Sequence, residues 1–287
     1  MHGFASAESM NENERSLRFL QHLAADMSEG RISFTTFADA TIKVRMALND
    51  PRLTVEKLAA TIMAEPLLPA KLLQVANSAA LNPGGARITD IKTAIVRVGH
   101  AKIRSLAVNL ALSQLTHMKE LAPFAAEAKR ILHHSADVAA IASVIARKMT
   151  RVSGDEALFA AVVHDIGRFY LLSRVARYPE LQGDPAEIAA LVAAWHPAAG
   201  HAILVSMGAP DAVADAVNRH EDADVRMPPK DLADVLNLAN RVSHSPNPLN
   251  QYAPDAGQGD VLVAKEVFDV LDNSAAELIA LAAALHS

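Results

Sequence analysis

The chain has 287 residues, 51% of them hydrophobic and 21% charged, which excludes collagen-like, low-complexity and disordered compositions. With no cysteine, thiol nucleophiles, disulfides and thiolate metal sites are excluded, and a reducing interior is the expected setting. A formal net charge of −5 and an aromatic share of 4% argue against a surface built for phosphate backbones or base stacking.

The opening MHGFASAESM has no basic segment leading into an apolar run, and no stretch reaches ~18 uninterrupted apolar residues. A soluble cytoplasmic protein is therefore expected, with neither membrane nor nucleic acid among its partners. Apolar positions recur at three- and four-residue spacing, without the strict alternation of a half-buried strand, so the predicted fold is all-α, a compact multi-helix array. Residues 1–30 form an N-terminal helical extension in which Leu17, Leu20, Leu23 and Met27 supply a docking face. Short helices follow over 31–120, with capping signals at Asp50-Pro51 and from Thr54 to Lys57 before Leu58. The basic residues Arg97, His100, Lys102 and Arg104 read as a solvated helix face. Longer helices carrying most of the histidines occupy 121–245. Asn82-Pro83-Gly84-Gly85, Gly183-Asp184-Pro185, Gly208-Ala209-Pro210 and Pro228-Pro229 mark breaks between them. The segment 246–260, PNPLNQYAPDAGQGD, reads as a loop, and a helical pattern resumes from Val261 to Leu285.

The informative positions are polar residues on apolar helix faces, because burying them without partners costs several kcal/mol. Ile131, His134, Val138, Ile141 and Ile145 form one such stripe, with His134 facing inward. In ALFAAVVHDIGRFYLL, the stripe Leu158, Val162, Asp165, Phe169 and Leu172 places a carboxylate amid apolar neighbours. A lone buried Asp must be neutralised, paired or bound to a metal. His164 lies about 100° round the helix from it, close enough for both to converge on one ion. His220 closes the stripe Val213, Val217, His220, and His196 precedes Pro197, where a helix is expected to begin. Imidazole and carboxylate suit Zn, Mn, Fe or Ni. A hydrogen-bonded core histidine is the ordinary alternative at each position taken singly. Trp195 is expected to fill core, and Asn77-Ser78 reads as a helix C-terminal cap.

These residues resemble a family. His134, the doublet His164-Asp165 within VVHDIGRF, His196 within HPAAGHAIL and His220 within NRHE look like the HD superfamily of metal-dependent phosphohydrolases. The match is closest to its HDOD branch, which is related to the phosphodiesterases carrying an additional Gly-Tyr-Pro motif. AEPLLPAKLLQVANSAAL and ITDIKTAIVRVGHAKIRSLAV resemble the HDOD signature of paired helices ending in an Asn-Ser turn. The similarity spans about residues 31–245, read as an N-terminal subdomain (31–120) and an HD-like subdomain (121–245), with 246–287 as loop and C-terminal helix.

The resemblance implies an all-α signalling or regulatory module of bacteria, with a signalling protein as partner and a nucleotide as a conceivable ligand. It implies a metal set of His134, His164, Asp165, His196, His220 and, at the place of the superfamily's final Asp, Asn240. The cofactor expected from that set is one divalent transition metal (Fe, Mn, Zn or Ni) or none. Three departures bear on chemistry. Asn240 offers a neutral oxygen for an anionic ligand, Arg219 replaces a histidine expected before His220, and Arg168 stands where the phosphodiesterases carry lysine, with no Gly-Tyr-Pro after His220. Two-metal hydrolysis is disfavoured on these grounds. The favoured expectation is a regulatory module that acts by binding a protein or ligand. The alternative is a metal-dependent phosphohydrolase of a nucleotide or cyclic dinucleotide, with Asp165 and Arg168 in catalysis and Arg168 and Arg219 holding phosphate.

Overall fold

The computed structural model describes residues 12–29, 53–63, 68–78, 81–245, 249 and 265–285. Among these there is no β-strand. The helices are α1 (Glu12–Ser28), α2 (Val55–Met63), α3 (Leu68–Ala76), α4 (Ile91–Val98), α5 (His100–Leu115), α6 (Ala125–Met149) and α7 (Gly154–Val163). They continue with α8 (Ile166–Val175), α9 (Pro185–Ser206), α10 (Asp211–Arg219), α11 (Leu232–Val242), α12 (Lys265–Asp272) and α13 (Ala275–Leu285). A 3-10 segment, Lys119–Phe124, leads into α6.

Several starts are set by side chains that take up otherwise unpaired first-turn N–H groups. Asp90 accepts from Lys92 and Thr93, Ser153 from Glu156, Asp184 from Ala186 and Glu187, and Asp231 from Asp234. Thr54 Oγ1 likewise accepts from Lys57 N at 3.3 Å, where the capping signal was read, while Asp50-Pro51 lies outside the described residues. Gly99, at φ 81°, joins α4 to α5 in a conformation that a side chain would strain.

The core is centred on α6, whose inner face of Ile131, His134, Ser135, Val138, Ile141 and Ile145 is buried along most of its length. Helices α7, α11, α12 and α13 pack on it, and α8, α9 and α10 continue the layer in sequence. Alanines at 136, 139, 140, 142 and 146 are fully or almost fully buried, which lets neighbouring axes approach closely.

The structure shifts four expectations. The buried face of α1 is Phe19 and Leu23 with Asp26, and Leu20 packs partly buried beside them, while Leu17 is 56% exposed, so the docking stripe keeps Leu20 and Leu23 but gains Phe19 in place of Leu17. Phe19 meets Tyr178 edge-on at 5.3 Å, and Arg174 pairs with Asp26. The basic cluster is not one solvated face: Arg97 and His100 are exposed, but Lys102 pairs with Asp155 at 2.6 Å and Arg104 lies 4.6 Å over the Phe159 ring. The C-terminal pattern divides into α12 and α13, with Leu285 O accepting from Asn109 Nδ2 at 2.6 Å. Trp195 is 39% exposed rather than core, because its neighbour His196 takes the inward direction on α9. Asn77 clamps the turn after α3, donating to Leu73 O and Ile88 O and accepting from Ile88 N, a structural role.

Candidate metal centre

Six elements deliver side chains to one buried cluster. His134 lies midway along α6. His164 ends α7 and Asp165 begins α8, so the doublet occupies a junction rather than the continuous helix that the spacing suggested. There the His164 N–H turns to Ala161 O, and Arg168 N–H closes the next turn onto Asp165 O at 2.9 Å. Asp165 adopts φ −95°, ψ 13°, and its carboxylate caps nothing, which leaves it to face inward. Gly167 allows α8 to touch α9: a Cβ there would overlap the His196 carbonyl oxygen and lie 2.8 Å from Gly200 N.

His196 is not at a helix start. Helix α9 runs through Pro197, which has no N–H for the carbonyl of Ala193. The His196 ring supplies that donor: Nδ1 lies 3.0 Å from Ala193 O and 2.9 Å from Val192 O. The same device recurs. His164 Nδ1 meets Ala161 O at 2.7 Å, His220 Nδ1 meets Val217 O at 2.6 Å, and His134 Nδ1 meets Ser245 O at 3.0 Å. A backbone carbonyl only accepts, so in each ring the proton sits on Nδ1 and the Nε2 lone pair is turned inward. Metal-ligating histidines are oriented in this way.

The inward lone pairs fall in two groups that share Asp165. His134, His164 and Asp165 form one, and Asp165, His196 and His220 the other, each with its donor atoms within 4.8 Å of one another. In the first, His164 Nε2 is 3.5 Å from Asp165 Oδ2, and both atoms are buried without a hydrogen-bond partner. Asn240 Oδ1 lies 2.9 Å from His134 Nε2 at the half-buried edge. Two orphaned buried donors beside an imidazole and an amide oxygen fit a divalent transition ion. In the second group, His196 Nε2 and His220 Nε2 face each other at 3.2 Å.

Arg168 closes the cluster from its other side. Its Nε donates to Asp165 Oδ1 at 2.6 Å and its Nη2 to Glu221 Oε1 at 2.7 Å. Relative exposure is 2% for His134, 1% for Asp165 and Arg168, and 0% for His164, His196 and His220. Burial lowers the pKa of His164 to about 4 and that of His220 to about 3, so both rings stay neutral. Burial alone would raise the Asp165 carboxyl, but Arg168 and the surrounding imidazoles hold it well below the usual range. Glu221 is lowered likewise against its own burial, by the His196 ring and Arg168.

His134, His164, Asp165, Arg168, His196, His220 and Asn240 thus meet in space. Arg219 does not join them: it turns to Asp222 at 3.4 Å and Asp231 at 3.5 Å, so the cation inside the centre is Arg168. Sequence reasoning missed Glu221. Its signal was its place directly after His220, where α10 ends and two consecutive side chains can turn inward.

The HDOD domain model matches residues 34–223. No curated protein matches the chain in sequence. Among solved structures, a candidate metal-dependent phosphohydrolase of Shewanella amazonensis SB2B superposes with TM-score 0.71 at 20% identity, over 95% of this chain and 99% of its own. An HDOD domain protein of unknown function from Geobacter sulfurreducens gives 0.60 at 17% identity, over 96% and 99%. A candidate signal transduction protein of Marinobacter aquaeolei VT8 gives 0.58 at 15%, over 100% and 70%. These likenesses show a shared fold, and together with the domain match they lead to one conclusion: this chain belongs to the HDOD domain family.

Proposed function

We propose that the protein is a bacterial signalling module that acts by binding a protein or ligand, and that its centre holds a divalent transition ion without hydrolysing a substrate. His134, His164 and Asp165 Oδ2 would hold that ion, with the Asn240 oxygen at the rim. When bound, it supplies Lewis-acid polarisation and a tie between α6, the α7–α8 junction and α11. The chain's own residues set the frame. The Ser245 and Ala161 carbonyls hold the proton on Nδ1 of His134 and His164, and Arg168 keeps Asp165 ionised.

One observation carries the regulatory reading. Every imidazole of the cluster, with Asp165 and Arg168, is at most 2% exposed, so among the described residues a phosphate ester has little direct access to the atoms that would hold the ion. Arg168 and Arg219 are committed to carboxylates, and a phosphate would have to displace those partners. The signal transduction name of the Marinobacter neighbour agrees with this reading. A cytoplasmic setting agrees with a cysteine-free chain.

The test is metal analysis of protein purified without chelator, together with turnover assays on phosphomonoesters, phosphodiesters and cyclic dinucleotides with Mn and Fe. Bound metal without turnover is expected. Turnover that Asp165→Ala abolishes in a folded protein would establish the phosphohydrolase instead.

A further inference from the structure

Glu221 is the part of the centre that the family pattern does not account for. Its Oε1 lies 3.5 Å from His196 Nε2 and 3.8 Å from His220 Nε2. Asp165 Oδ1 lies 3.6 Å and 3.8 Å from the same two nitrogens, which are 3.2 Å apart. Four ligands at the ~2.0–2.2 Å typical of Zn–N and Zn–O bonds in a tetrahedron stand roughly 3.3–3.6 Å from one another. Five separations between these four atoms run from 3.2 to 3.8 Å, close to that shell.

The protonation pattern points the same way. With Nδ1 of both rings donating to carbonyls, the facing Nε2 atoms are both acceptors, and 3.2 Å between two lone pairs favours a cation that both can reach. A proton shared by the nitrogens would explain that one contact. It would not draw a carboxylate oxygen from each of two elements to similar distances from both rings. Arg168 is compatible with an ion here, because each carboxylate oxygen has a second lone pair to offer its N–H donors. Asp165, Glu221 and Arg168 sum to one negative charge, and a divalent ion reverses it.

We propose that Glu221 supplies the fourth ligand of a tetrahedral site for a divalent transition ion, completed by Asp165 Oδ1, His196 and His220, in place of the ligand lost at Arg219. Arg168 is its positioning residue, orienting both carboxylates from outside the shell. The proposal rests on the reading that the centre binds divalent ions, and it concerns the half that this reading leaves unassigned.

The experiment strips the full-length protein with chelator and titrates it with Co2+, following stoichiometry by elemental analysis and geometry by visible absorption. The wild type is expected to take two ions and develop the intense visible band of four-coordinate Co2+. Glu221→Gln, which keeps the shape and removes the charge, should weaken one of the two ions at least tenfold and lose that ion's share of the band while retaining the other ion. Arg219→Ala should leave both readouts unchanged. Circular dichroism checks that each variant is folded, and the wild-type spectrum tests the geometry whatever the variant does. A wild-type protein that binds one ion without the band, or a folded Glu221→Gln that keeps band and stoichiometry, overturns the proposal and leaves the first half intact. No Co2+ bound to the wild type at all would overturn both readings.

Discussion

Replacing Gly167 by alanine tests how the centre is assembled. In an open helix the change would stabilise by ~1 kcal/mol, because glycine is the poorer helix former. In α8 the added Cβ overlaps the His196 carbonyl oxygen and comes 2.9 Å from its carbon and 2.8 Å from Gly200 N. All three are backbone atoms of α9, so no side chain can turn aside and the helices must part. Overpacking of adaptable cores costs ~1–3 kcal/mol, and a backbone obstacle places this site at or above the upper end. After the propensity gain, a net loss of about 2 kcal/mol is expected, or roughly 4–8 °C in melting temperature for a domain of this size. Two internal controls grade the effect. At Gly200 the nearest atom to an added Cβ is a Val217 methyl at 3.0 Å, which can give, so a smaller loss is expected. At Gly183 nothing lies within 4 Å, and alanine should be within ~0.5 kcal/mol of wild type. Thermal melts with and without Co2+ read the series, and since His196 moves with α9, Gly167→Ala should also lose ion-dependent stabilisation. A Gly167→Ala protein that melts at or above wild type with undiminished ion binding would refute the close-approach argument.

The metal-free protein should lose stability as the pH falls from about 7 towards 4. The unfolded chain protonates His164 and His220 near 6.5 while the fold keeps them neutral to about 4 and about 3, at ~1.4 kcal/mol per pH unit for each ring. A urea midpoint unchanged between pH 7.5 and 5.5 would contradict this. Below about 4.5 the lowered carboxyls of Asp165 and Glu221 add a further loss in the same direction, because the unfolded chain then binds their protons first. Asp165→Asn should cost ~3–5 kcal/mol in urea unfolding, since it leaves the buried Arg168 with Glu221 alone, and a cost under 1 kcal/mol would show that the pair is not buried in solution. Chelation of metal-loaded protein should lower stability by ~2.7 kcal/mol when the free ion had stood at a hundred times its Kd, measured as a melting shift that returns on adding metal.

The helical class and the clustered histidines were legible because both are written in local spacing: His134 and His220 interrupt apolar stripes, and a polar residue there is conspicuous. What escaped depended on chain geometry that spacing does not encode. The stripe through Asp165 keeps its rhythm across the break between α7 and α8, so the junction was invisible. Pro197 reads as a helix start because proline is favoured in a first turn, yet His196 supplies the missing donor and the helix continues. Glu221 and Arg219 flank His220 at the end of α10, and which flank turns inward follows from the helix end, not from residue type. For α1 the reading held at Leu20 and Leu23 and missed at one edge: Phe19 joins them and Leu17 faces solvent, a boundary that a short amphipathic segment does not specify.

The cost of this centre supports the ion proposed for it. A buried hydrogen-bonding atom without a partner costs ~1–3 kcal/mol, and metal-free His164 Nε2 and Asp165 Oδ2 are two such atoms, beside two imidazole lone pairs facing each other. Buried ionic groups replaced by apolar side chains of similar volume often leave a protein as stable or more so. A purely structural core at this place would be better served by leucine or methionine, which the surrounding Ile131, Val138, Val162 and Val217 would accommodate. Three of the four Nδ1 protons are held by carbonyls of the histidine's own helix, three or four residues earlier, so the inward lone pairs at His164, His196 and His220 are built into local backbone. Only His134 depends on a distant partner, the Ser245 carbonyl, and Ser245 is anchored in turn by its hydroxyl on Asp137 of the same α6. A frame that aims four lone pairs at shared carboxylates before any ligand arrives minimises the ordering cost of binding a cation, which an electrically idle core would have no use for.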